Sequence, residues 1–134
     1  DLGFGIRWLQ NPIKALSLTD NTGVITAMGN DLSFNDVFER QINTYGCSGD
    51  VLVAISASGN SENLLRAVNA AIKTEITTVG ITAFDGGQLK KSVDHSVHIP
   101  TEFGEYGFAE DAHLVVNHII TNYFMMLLRN DYIS

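Results

Sequence analysis

Cysteine, positive charge and long apolar runs are scarce in this sequence. Cys47 is the single cysteine among 134 residues. One cysteine excludes an internal disulfide and any cysteine-based metal cluster, so Cys47 reads as a small residue near a turn. Lysine and arginine together number eight against fifteen aspartates and glutamates, a formal net charge of -7. Direct binding of a nucleic-acid backbone needs a clustered cationic face, and the pair Lys90-Lys91 does not make one. No nucleic-acid partner is expected. No stretch approaches the roughly 20 apolar residues of a membrane helix; Met125 to Leu128 is bounded by Asn122 and Arg129. No membrane partner is expected either. The first residues mix Arg7, Gln10 and Asn11 with apolar ones, unlike a signal peptide, and the cytoplasm is the expected location. Repeats, low-complexity tracts and interdomain linkers are also missing. With 45% hydrophobic and 17% charged residues, the chain reads as one globular domain with a real core.

Three short runs rich in β-formers are present: Ala15 to Leu18, Val51 to Ile55 and Thr77 to Thr82. Apolar on both sides, they predict buried parallel strands. A fourth run, Ser96 to Ile99, alternates and stops at Pro100, as an edge strand does. Helical spacing occupies Phe34 to Thr44 and Glu62 to Lys73, the latter with Leu64, Leu65, Val68, Ala71 and Ile72 on one face. Phe108 to Arg129 predicts the longest helix. The order strand, helix, strand, helix, strand predicts an α/β fold with a parallel sheet. Asp85-Gly86-Gly87 reads as a turn before a short helix.

The strongest local signal is Val51 to Asn63, where a buried strand runs into Ser56-Ala57-Ser58-Gly59-Asn60-Ser61 and then opens a helix. Gly59 allows a close backbone approach to an anion, the hydroxyls of Ser56, Ser58 and Ser61 donate hydrogen bonds, and the helix start adds free N–H groups and its dipole. Such a cradle binds phosphate without net positive charge, so overall acidity does not exclude an anionic ligand. It also lies where open parallel sheets bind ligands, beyond the strands' carboxyl ends. An ordinary N-cap at Ser61 with solvated neighbours fits the same residues. Three hydroxyls around one glycine favour phosphate.

Ile55 to Asn63 resembles the signature loop of SIS (sugar isomerase) domains, and within them the phosphoheptose isomerases. The likeness continues through Ser17-Leu18-Thr19-Asp20, Gly29-Asn30-Asp31, Phe38 to Gln41, Thr82 to Gly87 and Ala109 to His118, in the family's order. The resemblance implies a flavodoxin-like, three-layer α/β/α SIS domain over residues 1–134. It also implies that this is a partial domain, with the first strand and N-terminal helices absent. It implies a homotetramer with sites between subunits, a sugar-phosphate substrate and often zinc. The activity implied is ketose-aldose isomerisation through an enediol, of sedoheptulose 7-phosphate to D-glycero-D-manno-heptose 7-phosphate. Alternatives are a noncatalytic SIS module that binds sugar phosphate or protein, as in a DnaA-associated initiator, and an isomerase of another sugar phosphate.

The resemblance also assigns residues. Ser56, Ala57, Ser58, Asn60 and Ser61 would bind phosphate, and Asp31 would lie close to the sugar. His118 matches a histidine implicated in proton transfer and metal binding. Asp1 falls at the family's catalytic glutamate, one methylene shorter. Glu110 stands where glutamine is usual, keeping an oxygen ligand and adding a charge. Glu110 and His118, eight residues apart, are about two helical turns apart, so they are expected to face one pocket and, with Asp1, to bind zinc. His113 competes with His118, and His95 and His98 receive no role.

Overall fold

A computed structural model describes residues 13–130. The chain divides into two compact units, Leu18–Glu110 and a second formed from Asp1–Ser17 with Asp111–Ser134. In the first unit the elements run α1 (Thr22–Asp31), a 3₁₀ turn (Phe34–Asp36), α2 (Val37–Tyr45), β1 (Val51–Ser56), α3 (Glu62–Lys73), β2 (Thr77–Thr82), α4 (Leu89–Ser92) and β3 (His95–His98). A final helix, α5 (Tyr106–Asn130), starts in the first unit and continues in the second.

The described strands form one parallel sheet in the order β1-β2-β3. Parallel neighbours need a crossover, and α3 supplies the one between β1 and β2. Its register follows from its pattern. Ala67, Val68, Ala70 and Ala71 are buried, and they pack with Leu52 and Ala54 of β1 and with Ile42, Ile76 and Leu89. Small residues on α3 let helix and sheet approach closely. Gly80 extends this on β2, where a Cβ would stand 3.1 Å from Val93 and 3.4 Å from Leu89. The other face of β1 carries Val51, Val53 and Ile55, all exposed.

α3 ends in a Schellman turn: Ile76 N–H donates to Ala71 O (2.9 Å) and Glu75 N–H to Ile72 O (3.1 Å). Glu75 takes the left-handed φ of 59° that this turn demands, a position glycine usually fills. Buried Ile76 then leads directly into β2.

The expected strand over Ala15 to Leu18 is not formed; residues 13–17 take no regular structure, and Leu16 is 68% exposed. The Leu18 carbonyl accepts instead from the buried Gln41 side chain (3.0 Å), whose amide also reaches Val37 O (2.9 Å). A side chain therefore takes the place of a ladder at Leu18. The expected helix from Phe34 opens as a 3₁₀ turn, because the Ser33 hydroxyl accepts from Asn35 N–H (3.1 Å) and tightens the entry. The edge strand and the helix over Glu62–Lys73 form as expected, and the Asp85-Gly86-Gly87 turn precedes α4.

The link into β3 rests on Asp94. Its carboxylate accepts from both the backbone N–H and the hydroxyl of buried Thr78 (2.8 Å each), while Asp94 N–H donates to that hydroxyl (3.0 Å). These bonds hold the Asp94 carboxyl below the usual carboxylate range. The ionised form is the bonded one, so its contribution is complete above the unfolded value of about 3.9. It fades as the pH falls through the lower folded value. Asp94→Asn should therefore lower the urea midpoint at neutral pH, and the gap from the unsubstituted protein should close on acidification below pH ~4. A pH-independent gap would assign Asp94 no titrating role.

Candidate functional site

Pairing register makes the carboxyl edge of the sheet. Ser56 pairs with Thr82 and Thr82 with His98, so three polar residues end the three strands at one level. Thr82 Oγ1 and His98 Nδ1 lie 3.1 Å apart. Burial, and then the charge of Lys90, hold the His98 imidazole below its usual value, against an opposite pull from Asp85. The neutral ring is favoured. Sequence reasoning gives His98 no role; it is half-buried and bonded to Thr82 at the strand end, a fact only the register reveals.

Two loops leave this edge side by side. The serine loop follows β1, and its turn is closed by Gly59 N–H donating to Ser56 Oγ (3.0 Å), with Gly59 at φ 64°. Asn60 N–H lies 3.4 Å from Ser58 Oγ. A hydroxyl that accepts from an N–H still has its proton to donate, which suits Ser56 and Ser58 to an anion. Ser61 occupies the N-cap of α3, but its hydroxyl makes no capping bond, so the ordinary-cap alternative is not what the side chain does. The first N–H groups of a helix lack partners four residues back; in α3 the Leu64 N–H is met by Ser61 O (3.0 Å) and Asn63 Oδ1 (2.9 Å).

The second loop, Ala83 to Gln88, follows β2 and carries Phe84 at φ 50°. A bulky residue in that region is strained. Burial and ring contacts with Phe103 (centroids 5.4 Å) and Tyr106 (5.1 Å) hold it. Ala83 N–H donates to Ala57 O (3.0 Å), and Ala57 packs with Ala83, Phe84 and Ala109. The two loops thus act as one body.

The remaining predicted residues are placed separately. Asp31 ends α1 and accepts from the Asn30 side chain (2.8 Å). Glu110 and His118 are both exposed on α5; at about 100° per residue, eight residues separate them by roughly 80° around the axis. His113 is buried on that helix, and its Nε2 has no hydrogen-bond partner among the described residues. Asp1 lies outside the described residues. Among the described residues no three histidines, cysteines or carboxylates group as metal ligands. Glu110 and His118 thus offer two donors, short of the three protein ligands usual at a catalytic zinc. No helix among the described residues is long and apolar enough to cross a membrane.

Comparison with known proteins points the same way. A family model described as SIS domain matches residues 4–83, which include the serine loop. Phosphoheptose isomerase of Clostridium acetobutylicum is 42% identical over 108 residues, 81% of this chain and 54% of that protein. Phosphoheptose isomerase of Nitratidesulfovibrio vulgaris is 37% identical over 117 residues, 85% of this chain and 55% of that protein. The chain spans about half the length of these curated relatives. Among solved structures, phosphoheptose isomerase GmhA from Neisseria gonorrhoeae superposes with a TM-score of 0.78 at 32% identity, covering 89% of this chain and 65% of that one. A phosphoheptose isomerase from Francisella tularensis gives 0.76 at 28% identity, covering 84% and 60%. A parallel sheet that presents a hydroxyl-rich loop at its carboxyl edge, together with these likenesses in sequence and fold, places the chain in the SIS domain family.

Proposed function

We propose that the full-length protein is a phosphoheptose isomerase, interconverting sedoheptulose 7-phosphate and D-glycero-D-manno-heptose 7-phosphate. The observation that carries the reading is the serine loop, shaped for an anion at the end of β1 in a chain whose relatives bear that name. Phosphate at this loop is a handle. It holds the sugar by a group that does not react and leaves the carbonyl end for chemistry.

Isomerisation moves protons without gain or loss of atoms. A base removes a proton from the hydroxymethyl carbon beside the ketose carbonyl. The electron pair of that C–H bond becomes the double bond of the enediol while the carbonyl oxygen takes a proton. Delivery of a proton to the neighbouring carbon, with loss of one from the first carbon's hydroxyl, gives the aldose. His118 and Asp1 are the proposed acid-base pair: an imidazole exchanges protons near neutral pH, and a carboxylate accepts them. Asp31 is proposed to hold a sugar hydroxyl.

Zinc is the proposed metal, with Glu110 and His118 supplying an oxygen and a nitrogen ligand and Asp1 or another copy of the chain completing the set. Bound there, zinc would polarise the sugar carbonyl. A homotetramer fits this reading, since Leu114, Val115, Ile119, Tyr123 and Met126 are exposed along α5 and Val51, Val53 and Ile55 along β1. Apolar area of that extent marks interaction surfaces. A phosphorylated sugar is a cytoplasmic class of substrate, and we place the protein there.

The decisive experiment assays the full-length protein on sedoheptulose 7-phosphate with and without added zinc. Ser58→Ala and Ser61→Ala should each raise KM about tenfold or more, the size of one hydrogen bond to a charged group. An unchanged KM in both would remove the phosphate from this loop. Glu110→Ala and His118→Ala should lower bound zinc as measured by atomic absorption, and His118→Ala should also lower kcat by roughly a hundredfold or more. Retention of metal and turnover by both variants would make that stretch of α5 structural and favour a noncatalytic sugar-phosphate binder.

A further inference from the structure

Three consecutive carbonyls of the serine loop are tied down on one side. Ala57 O accepts from Ala83 N–H (3.0 Å), Ser58 O from Asn60 Nδ2 (3.0 Å) and Gly59 O from Leu89 N–H (2.9 Å). A trans peptide is planar, with N–H opposite to C=O. Anchoring the carbonyls of residues 57, 58 and 59 therefore directs the N–H groups of Ser58, Gly59 and Asn60 to the opposite side, where Gly59 N–H meets Ser56 Oγ (3.0 Å) and Asn60 N–H meets Ser58 Oγ (3.4 Å), a nest that presents the Ser58 N–H and the two hydroxyls to an anion. Two of the three anchors are backbone N–H groups at the two ends of the second loop. The middle one is a side chain.

Both ends of that amide are engaged. While Asn60 Nδ2 holds Ser58 O, its Oδ1 accepts from Gln88 N–H (3.1 Å). The amide orientation follows from its partners, because a backbone N–H only donates and a carbonyl only accepts. Asn60 thus bridges the serine loop to the loop after β2. The bridge has no slack. A Cβ on Gly87 would stand 2.4 Å from Ser58 O and 2.7 Å from both amide atoms of Asn60, and one on Gly59 would stand 2.0 Å from Gly86 O. Glycine is needed at both positions, and Asp85-Gly86-Gly87 is more than a turn before a helix.

We propose that Asn60 is a positioning residue, which shapes the phosphate nest by clamping Ser58 O to the glycine turn through Gln88 and does not itself hold the phosphate with its side chain. The proposal rests on the serine loop being the phosphate site. The Asp85 carboxylate takes part on the turn's side, accepting from Gly87 N–H (3.1 Å). Both loops are then preset before ligand arrives, which removes an ordering cost from binding.

The test compares Asn60→Ala, Gln88→Pro and their double variant in the full-length protein, with Ser58→Ala as the control for the site itself. Gln88→Pro deletes the N–H that anchors the Asn60 amide. Its backbone φ of −75° already suits proline, and its own side chain is exposed. Inorganic phosphate affinity is read by calorimetry well below each variant's melting temperature, together with KM and kcat on the sugar phosphate. Each single variant should weaken phosphate binding and raise KM by about tenfold, with kcat changed far less. The double variant should be no worse than the worse single one, because both substitutions release the same clamp. If Ser58→Ala weakens binding but neither Asn60→Ala nor Gln88→Pro does, the clamp is irrelevant and the proposal fails. If Asn60→Ala weakens binding while Gln88→Pro leaves it intact, or the two effects add, Asn60 contacts the anion itself and the proposal is equally overturned. If Ser58→Ala too leaves binding unchanged, the phosphate reading of the loop fails instead.

Discussion

Pairing of β1 with β2 is the constraint on which the rest of the first unit depends. The register from Val51 opposite Thr77 to Ser56 opposite Thr82 brings the ends of the two strands level. Their following loops then start within backbone hydrogen-bond distance, and Ala83 N–H reaches Ala57 O. A slip of one residue would turn every side chain to the other face of the sheet. It would also separate the donors of the second loop from the carbonyls of the serine loop. The register holds because Ala54 must meet Val68 and Leu89, while Gly80 must sit beneath Val93 and Leu89. Helix packing on one face thereby governs the geometry of a site at the sheet's end.

Strain is placed where this coupling occurs. Phe84, Gly59, Gly86 and Gly87 all take positive φ values, and all lie in the two adjoining loops. Phe84 is the costly member, offset by burial and by its contacts with Phe103 and Tyr106. Glu75 shows the same left-handed geometry for a different reason, to end α3 and deliver Ile76 to the core. The first group shapes the two loops at the sheet's carboxyl edge, and the second serves the fold.

The anion binding proposed for this acidic chain needs no net positive charge. The groups it would use are peptide N–H dipoles, hydroxyl protons and the start of α3. Their orientation depends on local backbone geometry and not on net charge. Among the described residues the ion-paired cation is Arg66, which pairs with Asp36 (2.7 Å) and Glu62 (2.9 Å) and links α3 to the 3₁₀ turn. Those carboxylates and the hydrogen bonds they accept hold the guanidinium even further above neutrality than usual.

Much of this protein could be read along the chain because its signals are local. The period of Glu62 to Lys73, the apolar runs of β1 and β2, and the strand-to-helix position of the serine loop each depend on residues near in sequence. Ala15 to Leu18 misled because a short apolar run carries no information about whether a neighbouring strand will pair with it. There the Gln41 amide takes the Leu18 carbonyl from 23 residues away. The places of Asn60, Gln88, Thr82 and His98 were equally hidden, since strand register and the meeting of two loops bring them together. Sequence by itself determined the parallel α/β class, the anion-shaped loop and the helix that follows it. Tertiary structure alone decided which carbonyls of that loop are anchored and by what, because hydrogen bonds between segments depend on distances that packing creates.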